Sequence, residues 1–289
     1  MSKKLLDSDF LKRLERLSIN IEKLMNVGGG GIRKSRAKGS STEFSDFREY
    51  TLGDDLRRID WNAYGRLDRL FVKLFMEERE AFINVFLDCS KSMDFSKKGE
   101  LALELAAAFS YLTLINMDRL CLNLMISEDL KISEVLGGRG QFNRAVSFLE
   151  NSDYKGKTRL DLALKKKNFP GKGLSIIISD LFNEGNFEEI LKFLAFNKQE
   201  IIVLHILSPE EYNPRLGGSV KLKDAETDEE INVELNPSTL DKYDKVLKHF
   251  IGDISDKCKK YGGLYLNILS NETMEKILFE DLIKRRIIK

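Results

Sequence analysis

Phe82-Ile83-Asn84-Val85-Phe86-Leu87-Asp88-Cys89-Ser90-Lys91-Ser92 is the stretch on which the fold of this chain turns. Its first six residues form a short, nearly continuous apolar run, the pattern of a parallel strand buried on both faces, and the run ends in an aspartate. Residues 97–116 follow with Leu101, Leu105, Phe109, Leu112 and Ile115 on one helical face. Outward from there the two periods keep alternating. Residues 119–127 and 129–136 read as strands, and 142–149 and 158–168 as helices. Residues 174–179 form a second buried strand that also ends in an aspartate, Asp180. A helix at 187–196, a third buried strand at 200–207, a helix at 240–261, a strand at 264–270 and a helix at 272–288 complete the rhythm. Strands alternating with helices predict an α/β fold, a Rossmann-like, mostly parallel sheet covered by helices on both faces.

Two departures bracket this core. Residues 220–235 alternate around Glu226-Thr227-Asp228 and predict a β-hairpin insertion at about 218–236. Residues 5–26 carry Phe10, Leu14, Leu17, Ile21 and Leu24 at helical spacing, and Gly28-Gly29-Gly30-Gly31 should end that helix. The expected organisation is therefore an N-terminal helix and glycine-rich linker at 1–31, an irregular loop-and-strand segment at 32–80, and the α/β domain at 81–289.

In open α/β sheets ligands bind beyond the carboxyl ends of the strands, where Asp88 and Asp180 are expected. The Asp88-Cys89-Ser90-Lys91-Ser92 loop can turn one carboxylate and two hydroxyls toward a single point. Such hard oxygen donors suit Mg²⁺ or Mn²⁺. Thr158, at the expected start of a helix after Lys155-Gly156-Lys157, would add a third hydroxyl, with Ser152 as a substitute, and Asp180 a second carboxylate. The plainer alternative is that an Asp or Ser at a strand end merely caps the next helix.

This constellation resembles the metal-ion-dependent adhesion site (MIDAS) of von Willebrand A domains, in which an Asp-x-Ser-x-Ser loop is followed by a Thr and then an Asp. The resemblance implies a metal held directly by Ser90 and Ser92, directly or through water by Thr158, and mostly through water by Asp88 and Asp180. It also implies a position open to an Asp or Glu from a protein partner. Residues 39–79 sharpen the likeness. Gly39-Ser40-Ser41-Thr42-Glu43-Phe44, Phe47-Arg48-Glu49-Tyr50-Thr51-Leu52-Gly53-Asp54-Asp55 and Arg57-Arg58-Ile59-Asp60-Trp61 are similar to the bacterial family of unknown function numbered fifty-eight. Arg66, Leu70-Phe71-Val72-Lys73 and Glu77-Glu78 continue the pattern, which extends over roughly residues 30–270. That family carries a von Willebrand A-like domain and is often paired with MoxR-type AAA ATPases. The resemblance therefore implies an adaptor or co-chaperone acting with such an ATPase and its client. Many relatives carry two membrane spans near the N-terminus; this sequence has none.

In residues 39–79 the close mixture of Arg48, Arg57 and Arg58 with Glu49, Asp54, Asp55 and Asp60 predicts internal ion pairs, and Trp61 a buried anchor. A structural clasp and a partner-binding surface are both compatible with that.

Composition excludes several classes. Lys plus Arg (47) nearly cancels Asp plus Glu (46), which argues against a general nucleic-acid binder. Cys89, Cys121 and Cys258 are scattered and odd in number, giving no disulfide framework. No stretch is long and apolar enough for a signal peptide or membrane span, so the expected location is cytoplasmic. Gly28 to Ser35 resembles a phosphate-binding loop, but Arg33 stands where its second glycine belongs and no strand precedes it. The basic cluster Arg33, Lys34, Arg36 and Lys38 is a short run of the kind that is commonly solvated. His205 lies in an apolar run and is expected to be a buried structural residue. A metal-dependent hydrolase is the rival function, with Asp88 after a strand; Ser90 replaces the second aspartate of aspartyl phosphoryl-transfer folds, and no histidine is placed as a base. A structural domain with a vestigial metal site is the third reading.

Overall fold

Along the central strands, alternate side chains fall into two separate cores. The computed structural model describes residues 5–20, 44–75, 80–182, 185–214, 217–224 and 229–289. Ile21, Leu24, the glycine run at 28–31, the basic cluster at 33–38, motif residues 39–43, Glu77-Glu78 and the 226–228 turn lie outside them. The chain divides into two compact units, Met1–Leu24 with Ala81–Lys289, and Met25–Glu80.

The larger unit is built on a seven-stranded sheet in the order β11-β8-β7-β3-β4-β5, with β6 also paired to β4. Its strands are β3 (Phe82–Asp88), β4 (Arg119–Ile126), β5 (Asp129–Ile132), β6 (Leu136–Gly137), β7 (Gly173–Ser179), β8 (Gln199–Leu207) and β11 (Leu264–Leu269). β11, β8, β7, β3 and β4 run parallel, while β5 and β6 are antiparallel to β4. Ile83, Val85 and Leu87 of β3 enter one core with Leu174, Ile176 and Ile178 of β7 and Ile202, Leu204 and Ile206 of β8. Phe86, Ile177, Ile201 and Val203 enter the other. Both faces are apolar, which is why these strands read as continuous runs. The fold is the expected α/β, von Willebrand A-like one, a mostly parallel sheet flanked by helices. The segment expected as one strand at 129–136 is two short ones, because each pairs with a different part of β4.

The Lys98–Ile115 helix is buried nearly all round, beyond the single face expected. Ala102, Ala106, Ala107, Ala108, Ser110 and Thr113 are buried with the leucines. A helix covered on every side must use small residues where neighbours approach. The cover comes from the Ser8–Leu14 helix and the C-terminal helical segment at 274–284, whose Phe10 and Phe279 rings meet edge to face at 5.9 Å.

The ends of the chain correct two expectations. The N-terminal helix, expected over 5–26, is capped by Asp7 and ends at Leu14. From Ser18 the chain bonds instead to the C-terminus, with Ser18 N to Lys289 O at 2.8 Å and Asn20 N to Ile287 O at 2.8 Å. For the same reason the last helix, expected to reach 288, stops at Lys284, and Ile288 forms a bridge with Ile19. Tertiary pairing outweighs helix propensity at both ends. The hairpin insertion is present as β9 (Gly218–Lys223) against β10 (Glu230–Leu235), followed by the Pro237–Lys260 helix. No helix among the described residues is long and apolar enough to cross a membrane.

The smaller unit pairs β1 (Phe44–Glu49) antiparallel with β2 (Phe71–Phe75). Between them lies the Trp61–Leu67 helix, capped by Asp60, which accepts from Asn62 N at 3.0 Å and Ala63 N at 3.3 Å. Internal ion pairs form as expected: Arg48 with Asp54 at 2.8 Å and Arg57 with Asp55 at 3.2 Å. Glu49 takes Arg69, and Asp60 takes Lys73. The N–H of Thr51 and the Arg48 guanidinium hold the Asp54 carboxyl below the usual carboxylate range. Trp61 is not the buried anchor expected; it is exposed and meets Tyr64 edge-on at 6.2 Å.

Candidate functional site

In the sheet order, β4 lies on one side of β3 and β7 on the other. The crossover direction reverses there, and beyond the strand ends at such a reversal is where open α/β sheets bind ligands. Asp88 ends β3, and Asp180 follows Ser179, the last residue of β7. Parallel register sets Leu87 opposite Ile178, so the two carboxylates arrive at the same rim.

Asp88 is almost wholly buried, and both its oxygens are engaged. Oδ1 accepts from the Ser90 N–H at 2.9 Å, closing the loop, and Oδ2 accepts from the Ser179 hydroxyl at 2.6 Å. The Ser179 hydroxyl accepts in turn from Leu181 N at 2.8 Å. Leu181 sits at φ +58°, a strained left-handed position that turns the chain sharply after Asp180. The Ser90 and Ser92 hydroxyls lie 3.0 Å apart. Burial, then the nearby Asp180 charge, raise the Asp88 carboxyl to about 6 against the donors of Ser179 and Ser90.

Thr158 is not on a helix, as expected, but in the loop before the Leu160–Lys165 helix. That loop is bonded to the Asp88–Ser92 turn through its backbone. Lys155 N donates to Cys89 O at 3.1 Å, and Lys91 N donates to Gly156 O at 2.9 Å. Gly156 adopts φ +67°, which lets the loop turn back against Lys91. Tyr154 anchors the same loop by donating to Gly99 O at 2.9 Å. The Thr158 hydroxyl is buried and has no hydrogen-bond partner among the described residues. The hydroxyl of Ser152, the substitute for Thr158, is likewise buried without a partner there; buried hydroxyls are rarely left unmatched, so either could serve a ligand.

Asp180 is 1% exposed. Its Oδ1 accepts from Phe182 N at 3.1 Å and its Oδ2 from the Lys98 ammonium at 2.8 Å. Its backbone carbonyl accepts from His205 Nε2 at 2.8 Å, while His205 Nδ1 accepts from the Tyr265 hydroxyl at 2.7 Å. Burial pushes His205 down to about 4, so the ring is neutral and both nitrogens are occupied. It is the buried structural histidine expected, and it positions Asp180.

Soft donors are turned away. The Cys89 thiol lies in the core near Leu87 O, and burial raises it to about 12. Among the described residues no group of three or more His, Cys, Asp or Glu side chains could hold a metal. The Ser90 and Ser92 hydroxyls are adjacent and the Asp180 charge acts on Asp88; carboxylates with hydroxyl oxygens are a donor set that fits a hard, water-carrying ion and not zinc.

Sequence reading missed Ser179, Lys98 and Glu211. Ser179 could have been found, since the last residue of a strand parallel to β3 must lie beside Asp88. Lys98 carried one signal, a cation at the N-terminus of a helix, where the dipole disfavours it.

The strand order and register of the chain define a von Willebrand A-like α/β domain. Residues 46–249 match the family described as "Protein of unknown function DUF58", and the chain belongs to that family. It is 23% identical over 273 residues to the uncharacterized protein Rv1480 of Mycobacterium tuberculosis, a match covering 91% of this chain and 85% of the relative. Among solved structures, the conserved hypothetical protein BatB from Bacteroides thetaiotaomicron superposes with a TM-score of 0.45 at 17% identity, covering 71% of this chain and 98% of that one. An aerotolerance-related membrane protein from Bacteroides fragilis gives a TM-score of 0.45 at 16% identity, again covering 71% and 98%.

Proposed function

We propose that this protein is a metal-dependent protein-interaction module without enzymatic activity, working in the cytoplasm as an adaptor or co-chaperone of a MoxR-type AAA ATPase. Ser90, Ser92 and Thr158 would hold Mg²⁺ or Mn²⁺, with Asp88 and Asp180 acting chiefly through water. The ion would supply an electrophilic point to which a carboxylate of the partner or its client binds. The observation that carries this reading is the Thr158 hydroxyl, buried and unpartnered on the loop bonded to the Asp88–Ser92 turn. Support also comes from Asp88, a buried carboxylate raised to about 6 whose repulsion from Asp180 a divalent cation would relieve. The ATPase comes from the family resemblance alone.

Binding of the purified MoxR-type ATPase from the same genome tests it, measured in Mg²⁺ and in EDTA with wild type and Ser92→Ala. The proposal expects binding in Mg²⁺ that falls at least about tenfold in EDTA and in the variant. Equal binding in all four conditions leaves a structural domain with a vestigial site. Metal-dependent turnover of a phosphoester panel, lost in Ser92→Ala, identifies a hydrolase instead.

A further inference from the structure

Lys98 is fully buried, at 0% exposure, in a position that is unfavourable twice over. It begins an eighteen-residue helix, where the dipole repels a cation. The backbone leading to it passes through two left-handed residues, Ser96 at φ +49° and Lys97 at φ +64°. A buried ammonium persists only where anions compensate it. Its Nζ lies 2.8 Å from Asp180 Oδ2 and 2.6 Å from Glu211 Oε1. Glu211 belongs to the Pro209–Tyr212 turn after β8, and its other oxygen accepts from Ser208 N at 2.7 Å. The rings of Phe95 and Phe182 lie 6.0 and 5.7 Å from the ammonium. Lys98 thus joins the loop after β7 to the loop after β8 at the carboxyl ends of the strands.

The charges of this cluster can be counted. Asp88, Asp180 and Glu211 bring three negative charges when ionised, and Lys98 brings one positive charge. Two negative charges remain, which one divalent cation would balance. Lys98 also occupies the oxygen of Asp180 that Phe182 N leaves open.

We infer that Lys98 is the resident counter-cation of the site: it holds Asp180 and Glu211 when no divalent ion is bound, and a divalent ion enters against it, leaving Lys98 to Glu211. This rests on the metal reading above and adds to it a residue that sets affinity without being a ligand. Lys98 lowers divalent affinity by its like charge, and Glu211 raises affinity by drawing the ammonium off Asp180. Metal occupancy is thereby coupled to the 208–212 turn, which Tyr243 of the Pro237–Lys260 helix also grips by donating to Glu211 O at 2.6 Å.

Calorimetry with Mn²⁺ on the full chain tests the inference through two variants with opposite expected signs. Lys98→Met is expected to bind Mn²⁺ at least about tenfold more tightly than wild type. Glu211→Gln, whose side chain is partly exposed and whose amide oxygen can keep one of the two bonds the carboxylate accepts, is expected to bind several-fold more weakly. A purely structural Lys98 predicts that both variants bind no more tightly than wild type. If Lys98→Met does not fold, Glu211→Gln carries the test, and unchanged or tighter binding there overturns the inference. Binding in wild type with no gain in a folded Lys98→Met also overturns it and leaves the metal site standing. Absence of binding in wild type and both variants removes the metal reading and this inference together. Binding by Lys98→Met alone upholds both.

Discussion

His205 is predicted to stay neutral down to about pH 4 and to make the protein lose stability as pH falls from 6.5 toward 4. Both nitrogens are committed, Nε2–H to Asp180 O and Nδ1 to the Tyr265 hydroxyl, so protonation breaks a buried bond as well as placing a charge in the core. The sign follows from linkage. A histidine whose folded value lies below its ordinary 6.5 contributes stability that is complete above 6.5 and is lost as pH falls toward 4. At pH 5 an unfolded imidazole is almost wholly charged, while the folded one is about nine-tenths neutral; the difference costs about 2 kcal/mol relative to pH 8. Asp88 works in the opposite direction, because its raised value weakens the fold as pH climbs through about 6. The wild-type curve therefore mixes two opposing slopes, and the readout must be a difference. Urea unfolding of wild type and His205→Gln at pH 8, 7, 6 and 5 isolates the histidine: the variant is expected to be less stable at pH 8, with the gap narrowing by about 2 kcal/mol at pH 5. The sequence has only two histidines, so imidazole NMR in a His249→Gln background observes His205 alone. A titration near 6.5, or a gap independent of pH, refutes the assignment.

Truncating Leu105, fully buried in the core on the Lys98–Ile115 helix, is expected to cost about 2–5 kcal/mol in chemical unfolding, and a loss under 1 kcal/mol would contradict the packing described. Gly99→Ala should destabilise by about 1–3 kcal/mol although alanine favours helix, because its Cβ would fall 2.6 Å from Tyr154 Cε2 and 3.0 Å from Met93 O. The same change should displace the loop that carries Thr158; an unchanged Tyr154 environment by NMR would count against the anchor. Glu188 is lowered to about 2 by Lys260 and then Tyr261, so its contribution is present above 4.5 and is lost as pH falls toward 2. Acid unfolding of Glu188→Gln should accordingly begin from lower stability at neutral pH and fall less steeply below pH 4.5 than wild type.

Much of the parallel sheet was legible because its strands are buried on both faces and run up to Asp88 and Asp180, and the turn at Asp88–Ser92 was legible because it directly follows such a strand. Pairing partners were not legible. Ser18 and Ile19 continue a helical pattern locally, and only the C-terminal Ile287–Lys289 segment, distant in sequence, draws them out of it. Residues 129–136 alternate as one strand would, and their division reflects separate partners on β4. The all-round burial of the Lys98–Ile115 helix was hidden for a related reason: alanine on its second face is equally compatible with solvent. Trp61 shows the reverse failure, since a large aromatic ring suggests burial while its surroundings are set by chain that sequence periodicity does not place. Lys98 and Glu211 are separated by 113 positions, and neither belongs to an apolar period, so only folding brings that pair to Asp180.

The proposed function requires Asp88, Ser90, Ser92, Thr158 and Asp180 to share one divalent cation at the rim of the sheet. Anomalous diffraction from crystals grown in Mn²⁺ tests it most directly. A single strong peak is expected within bonding distance of the Ser90, Ser92 and Thr158 hydroxyls, with that of Thr158 newly satisfied. Well-ordered Mn²⁺-grown crystals with no peak there, or with Thr158 turned away from the ion, would contradict it.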